Sequence, residues 1–198
     1  MRRNAHVRFG GRAEETDGWK HPHGASVRPY TYVLTREGWM YVSFLQDAFS
    51  RRILGFVVAA SKTAELVTRT LLQAVNVRQR SDATFVADGV ILHSDAGSQY
   101  TSLAFTEKLL DLGLAPSIGR VGTAYDNALI ESTIGLYKTE LVHRRAYGWN
   151  GREDLELATT RWVAWFNRQR LHEHLGYNTP IEIETAYIHQ QGLPRQAA

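Results

Sequence analysis

The feature that most constrains this chain is a change of hydrophobic period at Ser61-Lys62. Before it, TYVL, MYVSFLQD and ILGFVVAA read as short strands separated by turns at Glu37-Gly38 and Ser50-Arg51-Arg52. Sequential strands joined by tight turns make an antiparallel meander. After it, Leu66, Val67, Leu71, Leu72 and Val75 recur at helical spacing and predict an amphipathic helix of about four turns. GVILHSD then reads as a short buried strand, SLAFTEKLLDLGL as a helix stopped near Gly113, and APSIG as another brief strand. DNALIESTIGLYKTELVHRR, EDLELATTRWVAWFNRQRLHEHL and PIEIETAYIHQQ follow as helices, the last with Pro180 in its first turn. This order predicts an α/β fold: three antiparallel strands plus two short parallel strands in one mixed sheet, flanked by helices.

The chain has 198 residues, 43% of them hydrophobic, enough for a packed core and against global disorder. Residues 1–28 read differently: they are rich in Arg, Gly and His without apolar periodicity, and are expected to be poorly ordered. Residues 29–145 would then form the core, and 146–198 a helical extension of it. Basic residues outnumber acidic ones 23 to 20, and 19 of them are Arg. That balance is compatible with a polyanionic partner, and equally with an ordinary solvated surface. Absence of Cys excludes disulfides, thiolate metal sites and Cys nucleophiles. No apolar run reaches the roughly 18 residues of a membrane span, and no signal-peptide pattern opens the chain. The expectation is a cytoplasmic protein without a membrane partner.

Two acids stand where chemistry is possible. Asp95 follows the apolar strand VILHS, at the strand end where α/β folds place ligands. It reads either as a functional carboxylate or as a turn residue capping the helix near Ser102. Glu131 lies within a predicted helix, with Asn127 and Lys138 on the same face. It reads either as a surface glutamate or as a group aimed at the sheet end. Thirty-five residues separate the two acids. Together they suit Mg²⁺ or Mn²⁺, hard cations held by a few carboxylates with retained waters. A pair of such ions activates a hydroxyl and stabilises the departing oxygen of a phosphodiester. Lys138, Asn127, Arg120, Arg168 and Arg170 are candidate DNA contacts, the cations through phosphates. Trp162, Trp165 and Phe166 form an apolar stripe, better read as core than as a base-stacking platform. His93 reads as a ligand-orienting or packing group, and His172 and His174 as solvated surface residues.

HSDAGSQYTS, VGTAYDNALIESTIGLYKTELVHRR and WFNRQRLHEHLGYNTPIE, in that order, resemble the catalytic core of insertion-element transposases of the OrfB type, and REGWMYVSFLQDAFSRRILGF resembles the family's preceding strands. The resemblance runs from about Thr31 to about Tyr187. It implies a ribonuclease H-like fold, two divalent ions, and DNA cleavage and strand transfer by an Asp, Asp and Glu triad. The second Asp falls on Asp95 and the Glu on Glu131, with the family's spacing intact. It also implies self-association on DNA and a separate helix-turn-helix partner that recognises the element ends. The first Asp is where the chain departs: the family carries it in a string like Trp-x-x-Asp-x-Thr-Tyr-Val, and Pro29 occupies that position here. A shifted reading frame or rearranged gene start would account for residues 1–28. Asp47, expected to pair within about one position of Pro29 across the ladder, is the candidate substitute ligand. Its other reading is a turn residue or an ion-pair partner of Arg51 or Arg52. The alternative to an active transposase is a remnant that keeps the fold and nucleic-acid binding only.

Overall fold

The computed structural model describes residues 25–81, 85, 87, 90–94, 103–118 and 123–190. Five strands form one sheet: β1 (Ala25–Thr35), β2 (Gly38–Asp47), β3 (Ile53–Ala59), β4 (Ile91–Ser94) and β5 (Ala115–Ile118). Their spatial order is β3-β2-β1-β4-β5. The β1–β2 and β2–β3 pairs are antiparallel, and β1–β4 and β4–β5 are parallel. This is the mixed α/β sheet that the period change predicts. β1 begins at Ala25, inside the stretch expected to be poorly ordered.

Helices α1 (Ala64–Ser81) and α2 (Leu103–Asp111) cover one face of the sheet, and α3 (Thr123–Tyr137) and α4 (Arg152–Arg168) the other. Alternation along β2 and β3 divides the core in two. Leu45 and Leu54 meet Val67, Leu71, Phe105 and Leu109, while Phe44 and Ile53 meet Ile130, Ile134, Trp162 and Phe166. Gly55 is where α1 comes closest to β3: a Cβ there would lie 2.5 Å from the Thr70 carbonyl oxygen. On the other face Phe44, Tyr137 and Trp162 form a triangle of edge-on rings with centroids 5.0–6.1 Å apart. The buried Tyr137 hydroxyl is 2.8 Å from Thr159 Oγ1, and burial pushes its ionisation well above the ordinary tyrosine value. Because α4 supplies Leu155, Trp162 and Phe166 to the sheet's own core, the C-terminal helices pack as part of the same hydrophobic layer.

Two long helices end differently from the sequence expectation. The helix carrying Glu131 is α-helical only to Tyr137; Lys138–Val142 form a π-helical turn closed by His143 N–H donating to the Lys138 carbonyl at 2.8 Å. The helix expected to run to Leu175 stops at Arg168. There, His172 adopts extended backbone and bridges Asn178, a short 3₁₀ turn spans Glu173–Leu175, and Gly176 and Tyr177 take left-handed φ values of 62° and 61°. The Asn178 side-chain amide donates to the Leu175 and Gly176 carbonyls at 2.9 and 3.2 Å. This turn chemistry overrides the apolar periodicity. Helix α5 (Pro180–Gln190) then starts on a capping box, with Thr179 N–H donating to Glu182 at 2.7 Å and Glu182 N–H to Thr179 Oγ1 at 3.3 Å.

Candidate active site at the junction of β1, β4 and α3

The parallel pairing of β1 with β4 sets the site. Ser94, the last residue of β4, lies opposite Val27, two residues before Pro29. Helix α3 packs against both β1 and β4. It is held from below by buried Ile130 and Ile134, and by Thr133 Oγ1, which donates to the Gln46 side-chain carbonyl at 2.8 Å. Glu131 follows Ile130 on this helix and is exposed. Its helix therefore lies against the strand end that leads into position 95. Asp95 itself and Arg120 fall outside the described residues, as do the side chains of His93 and Asn127.

Pro29 lies where the β1–β2 register shifts, between Arg28, paired with Phe44, and Thr31, paired with Val42. Such a bulge leaves a backbone position unpaired and so tolerates a residue with no N–H. The register also corrects the expectation for Asp47, which pairs with Ala25, not next to Pro29. Two causes combine. The turn is centred on Arg36-Glu37, with Gly38 already in β2 at φ 106°, and the bulge adds a further residue to β1.

Asp47 is only 1% exposed, and both of its oxygens are engaged. Oδ1 accepts the backbone N–H groups of Phe49 at 3.0 Å and Ser50 at 2.7 Å, with Ser50 Oγ 3.1 Å away. Oδ2 accepts from Arg78 Nη2 at 2.8 Å. Arg78 is itself buried and reaches Glu184 on α5 at 2.7 Å; Arg52 meets the other Glu184 oxygen at 2.6 Å. Burial alone would raise the Glu184 carboxyl, but the charges of Arg78 and Arg52 outweigh it and hold the group below the usual glutamate value. The turn reading of Asp47 holds through Phe49 and Ser50, but its ion-pair partner is Arg78 rather than Arg51 or Arg52, a residue 31 positions away that no local pattern signals.

The candidate phosphate contacts are dispersed. Lys138 sits on the π-turn with its ammonium 5.4 Å from the centre of the Tyr32 ring. Arg168 is exposed at the end of α4. Arg170 turns inward: its Nε and Nη2 each lie 2.9 Å from Glu140 Oε1, and its guanidinium covers Phe166. Trp162 and Phe166 are core as expected, but Trp165 is 37% exposed. His172 is half-buried against Phe166, with ring centroids 4.6 Å apart. Burial, together with the Arg170 charge, lowers its pKa. That corrects its reading as a solvated residue; His174 is exposed. Among the described residues, no group of three His, Asp or Glu side chains is placed to hold a metal ion.

Comparison with known proteins agrees with this architecture. A family model described as "Integrase core domain" matches residues 20–124, and a second of the same description matches 112–180. A protein of insertion sequence element IS986/IS6110 from Mycobacterium tuberculosis is 46% identical over 173 residues, covering 87% of this chain and 62% of that protein. The transposase for insertion sequence element IS629 of Shigella sonnei is 43% identical over 172 residues, covering 87% of this chain and 55% of that protein. The chain thus spans about three fifths of the length of these curated relatives. Among solved structures, the HTLV-2 integrase catalytic core domain in complex with magnesium superposes with a TM-score of 0.62 at 16% identity, covering 85% of this chain and 99% of that one. A chain of the simian T-cell lymphotropic virus intasome, in complex with a PP2A regulatory subunit, gives 0.66 at 16% identity, covering 98% of this chain and 64% of that one. At such identities the likeness is one of fold, and that fold is ribonuclease H-like. Core and matched segments agree: this chain belongs to the integrase core domain family, and the curated relatives it resembles over part of their length come from insertion elements.

Proposed function

We propose that this chain acts on DNA as the integrase-like core of an insertion-element transposase, and that its cleavage and strand-transfer activity is impaired at Pro29. The meeting of α3 with β1 and β4 supports Asp95 and Glu131 as two of the site's acids. The observation that carries the impairment is the state of Asp47. The first acid position holds Pro29, whose side chain offers no ligand atom. The candidate substitute, Asp47, pairs with Ala25 away from Pro29 and is buried and spent on Arg78, Phe49 and Ser50. Freeing it would leave Arg78 buried beside one carboxylate fewer, a cost of several kcal/mol. Among the described residues the donor set therefore does not fit the paired Mg²⁺ or Mn²⁺ ions that phosphodiester transfer uses in this family, and no catalytic step follows from it.

What remains is a DNA-binding core. The excess of Arg over Lys, the exposed Arg168 and the half-buried Lys138 suit phosphate contact, which makes binding salt-dependent. Self-association on two DNA ends and a helix-turn-helix partner for end recognition complete the reading. The test is a strand-transfer assay on the element's end sequence with Mg²⁺ or Mn²⁺. The chain as it stands should bind DNA without turnover, and Pro29→Asp should gain activity that Glu131→Gln then abolishes. Metal-dependent turnover by the unaltered chain would refute the impairment. Absence of DNA binding at low salt would refute the function.

A further inference from the structure

Beyond the α3 junction, the outer face of the β1–β2 hairpin carries a row of large side chains that no helix covers among the described residues. Tyr32, Leu34 and Trp39 are 57%, 59% and 51% exposed, in a sheet whose opposite face at Thr31, Val33 and Met40 is buried. The register explains the row. Tyr32 lies opposite Tyr41 and Leu34 opposite Trp39, so three rings and a leucine share one face of two strands. Diagonal neighbours meet edge to face: Tyr30 with Tyr41 at 5.1 Å and Tyr32 with Trp39 at 5.4 Å between centroids. The tip is held rigid from behind. Arg36 N–H donates to the Trp149 carbonyl at 2.9 Å, and Glu37 accepts the Arg152 N–H at 3.0 Å. Exposed rings on a fixed strand pair stand ready for a ligand without further ordering cost.

Charge says which ligand. Lys62 lies 6.0 Å from the Tyr30 ring centre and Lys138 lies 5.4 Å from the Tyr32 ring centre. These are two of the chain's four lysines. Glu37, the acid at the hairpin tip, accepts the Arg152 N–H at the start of α4. Exposed rings flanked by two ammonium groups match bases alternating with phosphates. They do not match a purely apolar partner, which would leave both ammonium groups desolvated.

We infer that this face is a stacking platform for an unpaired DNA strand, with Tyr32 and Trp39 under the bases and Lys62 and Lys138 at the phosphates. The inference rests on the DNA-acting reading and adds to it the form of DNA bound. Bases locked in a duplex cannot lie on the rings, so the platform prefers single strands.

The test compares a 12-nucleotide thymidine oligomer with a duplex of equal length, by fluorescence anisotropy at fixed salt. Tyr32→Ala and Trp39→Ala should each weaken single-strand binding about 5- to 140-fold, the equivalent of 1–3 kcal/mol per stacked base. Duplex affinity should change by less than about twofold. Trp39→Phe keeps a ring and should restore binding, which separates stacking from any loss of hairpin stability. Lys62→Ala should lower the slope of log affinity against log salt by about 0.7. Equal losses on both DNA forms, or none, would overturn the platform while leaving duplex binding intact. Failure of the unaltered chain to bind either form would overturn the DNA reading as well. If Tyr32→Ala instead turns an oligomer into a monomer and leaves single-strand affinity unchanged, the face is a protein interface and the inference is wrong.

Discussion

Replacing Arg78 by Met leaves two buried carboxylates without the cation that joins them. Asp47 keeps the hydrogen bonds to Oδ1 but loses Arg78 Nη2 from Oδ2, at 2.8 Å. Glu184 keeps Arg52 at 2.6 Å and Ser50 at 2.9 Å and loses Arg78 at 2.7 Å. The damage therefore centres on Asp47, whose side chain is 2% exposed and cannot recover its hydration in place. Breaking a buried pair by removing one partner costs about 3–5 kcal/mol. For a chain of this length that is a fall in Tm of about 6–20 °C. Urea and thermal unfolding followed by circular dichroism would read it. Adding Asp47→Asn removes the orphaned charge, so the double variant should be less damaged than the sum of the singles by about 0.5–3 kcal/mol. Acid adds a second readout. In the unaltered chain the depressed Glu184 carboxyl contributes stability above its ordinary value of about 4.5, lost as pH falls through the lower folded value. Arg78→Met removes the main attraction behind that depression, so its stability should fall less steeply below that point. A cost under about 1 kcal/mol with no coupling to Asp47 would refute the argument and return Asp47 to the list of free ligands.

Asn167 clamps the edge strand from α4: its amide accepts the Ile53 N–H and donates to the Ile53 carbonyl, both at 2.9 Å. Asn167→Leu should cost about 1–3 kcal/mol by urea unfolding, and a loss within 0.5 kcal/mol of zero would show that the edge of β3 is hydrated instead. The lowered pKa of His172 means the folded state prefers the neutral ring. Its contribution is present above the unfolded value of about 6.5 and is lost as pH falls below that toward the lower folded value. His172→Gln should therefore flatten the decline in urea midpoint between pH 7.5 and 5.5, and parallel declines in the two proteins would disprove the assignment.

The mixed sheet was legible because it follows from the switch between two periods, a property of many residues at once. The register was not. It depends on one turn residue and one bulge, and a slip of three positions separates Asp47 beside Pro29 from Asp47 opposite Ala25. The bulge has no signature beyond Pro29 itself. Position alone left Asp95 and Glu131 open between a functional and a bland role, and only the family resemblance singled them out; the fate of Asp47 depended on Arg78 and Glu184, which are distant in sequence. The aromatic reading was led by the stripe on α4, where two of three rings proved to be core. The exposed rings lie on β1 and β2, where alternation permits either face and only the covering helices decide which face is wet. Helix ends were misplaced where Gly176 and Asn178 form a turn that competes with an apolar repeat.

The π-turn at Lys138–Val142 has a consequence for how this molecule tolerates change in length. It houses one residue more than a regular turn would, and so offsets everything C-terminal to it by about 100° of rotation relative to α3. With that offset Glu140 faces Trp162 and Arg170, its carboxylate lying 3.2 and 2.9 Å from their nitrogens. Deleting a single residue there would wind the segment back into an ordinary spiral and swing those partners out of reach, while α3 stayed seated on the sheet. The extra residue works as a spacer that lets the acid-bearing helix and the C-terminal layer each keep its own alignment, so gene-length drift at this one spot would uncouple two halves of the molecule that a point substitution would leave joined.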